Sequence, residues 1–309
     1  MPRPNFLVAG AARSGTTALI EGLRLHPDVF VTRPKEPHYF ALHGQAIDFR
    51  GPGDEDWVNK VVVNDRDRYL SLYDTDRDYR ARGEGSVSTL YYAERSVPEI
   101  LRVNPDMRVV ILLREPVERA FSSYTYLRLR GMEPEEDFRV ALADEENRRA
   151  SNWHHLWHYT GMSRYADDLQ VLLDGLGREQ VRVWFYDDLQ ANYQRVLAEV
   201  ATFLDLPPFP QPPTLPKVNA SGTARLDVAQ RAIRWATRNQ AVRASVKRVV
   251  PFRSRERIRS SLIRTDVIAP DIAAELEPLF ADDLRKLTTL VSGPRPPWLE
   301  RYVEPAVEP

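Results

Sequence analysis

The sequence predicts an α/β protein, a three-layer fold in which a central, mostly parallel sheet is flanked by helices. Three observations predict it. Phe6-Leu7-Val8-Ala9 is a short apolar run of the kind found in buried strands, and the loop GAARSGTT joins it to residues 18–25, whose apolar positions recur at helical spacing. Residues 108–113, RVVILL, repeat the pattern, and Glu115-Pro116 opens a helix behind them, with proline in the first turn where its missing N–H costs nothing. Residues 181–186, VRVWFY, are β-branched and aromatic and lie between two helical stretches. Strands interleaved with helices bury both faces of a parallel sheet.

Composition sets the outer limits. The 309 residues suffice for a sizeable core, and 43% hydrophobic with 28% charged residues is ordinary for a globular chain. A net charge of −1 gives no field that would favour nucleic acid. Without cysteine the chain has no disulfide, thiol nucleophile or thiolate metal site. No run reaches the length of a membrane helix, and the apolar run at residues 6–9 is too short for a signal-peptide core, so the expected location is cytoplasmic. The expected organisation is one domain over 1–309: an α/β core at 1–206, a proline-rich segment with a closing loop at 207–222, and a helical extension at 223–309.

Taken in order, the first loop carries the argument. Strand, glycine-bounded loop and helix aim a helix N-terminus at one point, a ready anion site. Gly10 and Gly15 have the Walker A spacing, which makes the fold P-loop-like, but Thr16 stands where a nucleotide triphosphatase places lysine, and the cation is Arg13 inside the loop. The same glycines could also make a plain strand–helix turn. Residues 29–31 read as a second strand, followed by RPKEPHYF, stiffened by Pro34 and Pro37 and dense in titratable groups. Residues 41–82 are polar and read as an irregular cover over the crevice, anchored by Trp57, Tyr69 and Tyr73. Residues 86–91 are expected as a strand leading into a loop.

After the strand at 108–113 comes Arg114, at its carboxyl end, with Arg119, Ser122 and Ser123 on the following helix. Ligands of doubly wound sheets sit beyond the carboxyl strand ends, so Arg114 and the Ser122 hydroxyl form a candidate clamp for a second phosphate beside the first loop. Residues 133–149 read as a solvated helix. The run WHHLWHY at 153–159 places His154 and His158 four apart but has no carboxylate, so no metal site is assigned; an acceptor-facing aromatic wall competes with core packing. Residues 165–176 are expected as a helix closed by Gly175 and Gly177, Asp187-Asp188 as the cap of a helix running to about 206, 270–291 as a last amphipathic helix, and the tail from Gly293 as extended. Residues 225–264 hold twelve Arg or Lys against Asp227 and Glu256. They read as a solvated basic helix pair or as a docking face for an anionic acceptor or lipid headgroups.

GAARSGTTAL, RPKEPHYF and RVVILLREPVERAFSSY, together with residues 161–189, resemble the motifs of sulfotransferases that use 3′-phosphoadenosine 5′-phosphosulfate (PAPS), in particular the bacterial and heparan-sulfate-type branch. The resemblance covers residues 5–40, 83–130 and 161–222. It implies transfer of a sulfuryl group from PAPS to a hydroxyl acceptor (a carbohydrate, lipid or secondary metabolite), without a metal, releasing adenosine 3′,5′-bisphosphate (PAP). It also implies roles. Glu36 would be the general base, its pKa raised in a water-poor crevice, with His38 as the alternative. Arg13, where the family usually has lysine, would stabilise the leaving phosphate. Ser14, Gly15, Thr16 and Thr17 would hold the 5′-phosphosulfate, Arg114 and Ser122 the 3′-phosphate, and Lys217, Asn219, Ser221 and Gly222 a loop over the nucleotide. The chain keeps Gly83, Glu84 and Ser86 of a further family pattern but has Val87 for its proline. The competing readings are a P-loop phosphotransferase, against which Thr16 counts, and a non-catalytic nucleotide-binding module. Neither the acceptor nor an oligomeric state follows from the sequence.

Overall fold

The computed structural model describes residues 3–211, 213, 223–224, 263–264 and 267–303. Five parallel strands form its central sheet in the order β2-β3-β1-β4-β5: β1 Phe6–Gly10, β2 Val29–Val31, β3 Ala81–Glu84, β4 Arg108–Leu113 and β5 Val181–Phe185. Side-chain alternation divides the core into two. Leu7, Ala9, Val109, Ile111 and Leu113 face one side, against α6 (Ala93–Val103), α7 (Pro116–Leu129) and α10 (Ala166–Leu176). Phe6, Val8, Val110 and Leu112 face the other, against α1 (Thr16–Leu23) and α12 (Tyr193–Phe203). Helix, sheet and helix make the three layers expected. With β1 central and its neighbours reached in opposite directions, the carboxyl ends of β1, β3 and β4 border one crevice.

Several elements differ from expectation. The strand near residue 86 is instead Ala81–Glu84, and Ser88–Tyr91 is a helical turn. ARGE is hidden from pattern reading because tertiary packing selects it: a Cβ on Gly83 would stand 2.4 Å from the Phe6 carbonyl oxygen, so only glycine lets β3 approach β1 so closely. The helix expected from Asp187 to residue 206 breaks at Asn192, which leaves helical backbone and caps α12 by accepting from the Arg195 N–H; Tyr186–Ala191 is a separate helix, α11. Residues 41–82 contain short helices at Val58–Val61 and Arg66–Ser71.

The solvated helix expected over 133–149 is two short helices, Phe138–Ala143 and Glu145–Ala150, and it is not wholly solvated. Arg148 reaches inward to a bidentate pair with Glu133 at 2.7 and 3.0 Å, both side chains almost fully buried. At 270–291 the helix is interrupted by a 3-10 turn, Glu277–Phe280, where Pro278 cannot donate. The tail has a helical turn at Pro297–Glu300. The helix Ala281–Leu290 docks on the core, its Asp283 carboxylate accepting from the N–H groups of Tyr165 and Ala166 at the start of α10. α10 ends before Gly177, whose φ of 87° suits glycine, whereas Gly175 lies within the helix.

Candidate active site

The loop after β1 is shaped by one glycine. Gly15 has φ 89° and caps α1, and a Cβ there would meet Leu189 Cδ2 at 2.6 Å and Tyr186 Cδ2 at 3.2 Å. Only glycine satisfies both the left-handed backbone and the close approach of α11. The first N–H groups of a helix have no acceptor within it, and the first three residues of α1, Thr16, Thr17 and Ala18, all line the crevice. Thr16, Thr17 and Gly15 line a cavity of about 400 Å³ together with Arg13, Lys35, Glu36, His38, Arg114 and Ser122. The structure therefore brings the candidates from three separate stretches to one place. Ser14 is not on the cavity wall; it is fully buried beneath the loop, and its Oγ finds no partner among the described residues. Lys217, Asn219, Ser221 and Gly222, and the basic stretch apart from residues 263–264, lie outside the described residues.

The two expected phosphate positions are wired together. Arg13 Nε donates to Ser122 Oγ at 3.3 Å, and its guanidinium lies over the Tyr126 ring, 4.3 Å from the centroid. Arg114 Nη1 donates to the Arg13 carbonyl at 3.3 Å, its other nitrogens contact Glu118 Oε2 at 3.1 and 3.2 Å, and its plane covers Tyr186 at 4.7 Å. Arg119 and Ser123 of the same helix turn away from the cavity: Arg119 is buried against Ser163 and the Tyr159 carbonyl, and Ser123 donates to the Leu156 carbonyl.

Opposite the loop, Glu36 pairs with Lys35 Nζ through Oε1, and its Oε2 is 3.6 Å from His38 Nε2. His38 is held from both ends. Its Nδ1 meets Ser88 Oγ at 2.8 Å, and its backbone N–H donates to Ser86 Oγ at 2.9 Å, which in turn donates to Glu84 Oε2 at 2.7 Å. A φ of 57° at His38 is the left-handed conformation that these contacts maintain. Glu84 is fully buried, and burial raises its pKa to about 8, so at neutral pH it is mostly the protonated acid. Its supporting position was not predicted from the sequence, although Gly83, Glu84 and Ser86 were singled out there.

The electrostatics of Glu36 correct an expectation. Burial does push the Glu36 pKa up, but Lys35, His38 and Arg13 together outweigh it, and the net direction is downward. The carboxylate is thus ionised at neutral pH rather than poised near neutrality. Burial drives the His38 pKa below its ordinary value, with Glu36 pulling only part of the way back, so His38 is neutral. The WHHLWHY segment divides between core and cavity. Trp157 and Tyr159 are core, while His154 and Leu156 reach the cavity. His154 and His158 are not on one helix, since only His155–Trp157 forms a 3-10 turn, and among the described residues no group of three or more His, Asp or Glu could hold a metal ion.

Fold and site together define a class: a P-loop-like α/β chain whose first strand–helix loop lacks the triphosphatase lysine and shares a crevice with a carboxylate. The comparisons name it. The sequence model of the sulfotransferase family matches residues 4–211, and the chain belongs to that family. It is similar to human heparan sulfate glucosamine 3-O-sulfotransferase 6, 30% identical over 122 residues, which are 39% of this chain and 30% of that protein. It is also similar to human carbohydrate sulfotransferase 15, 29% identical in an alignment 157 residues long that covers 40% of this chain and 27% of that protein. The matched segment thus spans less than a third of either relative. A crystal structure of a sulfotransferase from Alicyclobacillus acidocaldarius superposes with a TM-score of 0.73 at 29% identity, covering 96% of this chain and 99% of that one. The expected family and fold are borne out. Among the described residues no helix is long and apolar enough to cross a membrane.

Proposed function

We propose that this chain transfers the sulfuryl group of PAPS to a hydroxyl acceptor, with Glu36 as general base. The observation that carries the reading is that the ionised Glu36, flanked by Lys35, His38 and Arg13, opens into the cavity bounded by the anion loop and by Arg114 and Ser122. The residues fit the donor. The helix N-terminus and the hydroxyls of Thr16 and Thr17 suit a 5′-phosphosulfate, with buried Ser14 behind them, and Arg114 with Ser122 suits the 3′-phosphate that distinguishes PAPS from ATP. When bound, PAPS supplies a sulfur that forms a bond to the acceptor oxygen as its bond to the phosphate oxygen breaks, releasing PAP.

This chain's own residues do the rest. Glu36 accepts the acceptor's hydroxyl proton. Lys35 and Arg13 lower the Glu36 pKa, which keeps it ionised, and the same two cations offset charge on the departing phosphate side. Arg13 stays protonated and acts by charge alone. The Glu84–Ser86 pair fixes the His38 backbone, and Ser88 fixes its ring, so that neutral His38 orients Glu36 from the second oxygen. Lys217, Asn219, Ser221 and Gly222 complete the proposal as the loop over the nucleotide, and the same reading places the protein in the cytoplasm, where PAPS is made. The test is Glu36→Gln. PAP binding should persist while transfer falls by about 10²–10⁴-fold, the usual contribution of a positioned base. Full activity in that variant would overturn the role of Glu36, and activity lost together with PAP binding would leave it unsupported.

A further inference from the structure

Arg13 is held from its backbone to the tip of its side chain. Its φ of 67° is left-handed, a conformation that a residue with a Cβ keeps only where its surroundings impose it. Arg114 Nη1 donates to its carbonyl at 3.3 Å, and its own Nε donates to Ser122 Oγ at 3.3 Å. Its guanidinium then lies over Tyr126, with Cζ 4.3 Å from the ring centroid. The charge fixed in this way belongs to the cavity: Arg13 lines it and, with Lys35 and His38, holds the Glu36 pKa down.

Tyr126 is itself braced. It follows Ser122 by one helical turn on α7, so the hydroxyl that takes Arg13 Nε and the ring beneath the guanidinium share one helix face. A turn later Arg130, the residue that caps α7, has its Cζ 4.4 Å from the same ring and 5.1 Å from that of Trp57. Trp57 and Tyr126 are 6.5 Å apart between centroids. Trp57, Arg130, Tyr126 and Arg13 thus form a continuous stack from the segment at residues 41–82 to the anion loop. A hydrogen bond to Nε fixes one atom of a guanidinium, whereas a ring against its face fixes the plane. An ammonium has no such plane to fix. Tyr126 is only partly buried and packs on the edge of the core, so it can be replaced without emptying the interior.

We infer that Tyr126 is a positioning residue, which sets the plane of the Arg13 guanidinium against the 5′-phosphate side of the donor while Ser122 fixes Nε and Arg130 braces the ring. This rests on the sulfotransferase reading of the same site, and the test keeps the two apart. PAP and adenosine 3′-phosphate, which lacks the 5′-phosphate, are titrated by calorimetry into wild type, Tyr126→Leu, Tyr126→Phe, Arg13→Lys and the Tyr126→Leu/Arg13→Lys double variant. Tyr126→Leu should weaken PAP about tenfold, the worth of one part-buried cation–π contact, and leave adenosine 3′-phosphate within about twofold. Tyr126→Phe keeps the ring face and should bind PAP within about threefold of wild type. In the Arg13→Lys background Tyr126→Leu should cost less than about threefold, because the planar group that the ring holds has gone. Undiminished PAP affinity in Tyr126→Leu, an equal loss for both nucleotides, or the whole tenfold loss repeated in the Arg13→Lys background would overturn the inference. Any of these with PAP still bound by wild type removes the role of Tyr126 alone, whereas a wild type that binds neither nucleotide removes the sulfotransferase reading beneath it.

Discussion

Gly15→Ala tests how the anion loop is built. The residue has φ 89°, where an alanine Cβ crowds its own carbonyl at a cost of about 1–2 kcal/mol. The new Cβ would also lie 2.6 Å from Leu189 Cδ2 and 3.2 Å from Tyr186 Cδ2. Leu189 is buried, 2% exposed, and has little room to move, so this overpacking adds about 1–3 kcal/mol. The sum, about 2–5 kcal/mol, should lower Tm by roughly 3–8 °C. A double-mutant cycle separates the two parts. In a Leu189→Ala background the closest clash is gone and only the milder approach to Tyr186 remains, so Gly15→Ala should cost about 1–2 kcal/mol, chiefly the backbone share. Scanning fluorimetry of the four proteins, with and without PAP, reads both stability and ligand response. A Gly15→Ala protein with unchanged Tm and an undiminished PAP shift would refute the account of the loop.

Further outcomes follow from other parts of the structure. Because Lys35, His38 and Arg13 hold Glu36 below its ordinary value of 4.5 against the upward push of burial, kcat/KM should show no acid limb from Glu36 between about pH 5 and 7; a limb near pH 6–7 that vanishes in Glu36→Gln would contradict this. Glu84 behaves in the opposite sense: its folded pKa of about 8 lies above the ordinary 4.5, so the native state keeps a proton that the unfolded chain releases, and stability falls as pH rises through that window. Glu84→Gln should remove that fall, gaining up to a few kcal/mol over wild type between pH 5 and 8 (~1.4 kcal/mol per unit of pKa difference), as denaturant titrations at both pH values would show. Arg148→Met leaves Glu133 buried without its bidentate partner and should cost about 3–5 kcal/mol in chemical denaturation. Arg114→Gln should weaken PAP by about 10–100-fold, the worth of a charged hydrogen-bond donor, yet leave affinity for 5′-AMP little changed in calorimetry.

Elements with an intrinsic pattern were legible. β1, β4 and β5 are apolar because the sheet is covered on both faces, and the residues between Gly10 and Gly15 declare a loop by spacing alone. That Arg114 and Ser122 border the same cavity as the first loop was legible because a strand end and the helix after it fix their place. β3 was not legible, since Gly83 is chosen by the nearness of Phe6 and Glu84 by a buried hydrogen bond to Ser86, neither of which leaves a local pattern. The same holds for Glu133 and Arg148, fifteen residues apart and charged, which any composition-based reading sends to solvent. Glu36 lies in the crevice, with a pKa direction opposite to the expected one. Burial alone argues upward, and Arg13, which helps to reverse it, arrives from a loop distant in sequence. Trp57 was noted as a scattered anchor; its place in the cavity wall depends on ring contacts to His154 and Tyr126 from two other segments.

The most direct test of the central claim is a thermal-shift comparison of PAP with ADP and with ATP–magnesium. At a hundred times its dissociation constant a ligand stabilises the native state by about 2.7 kcal/mol, a shift of several degrees. The account predicts that shift for PAP and little for the other two, because the proposed function assigns Arg114 and Ser122 to a 3′-phosphate and Thr16 stands where a triphosphatase has lysine. A shift with ATP–magnesium and none with PAP would contradict it.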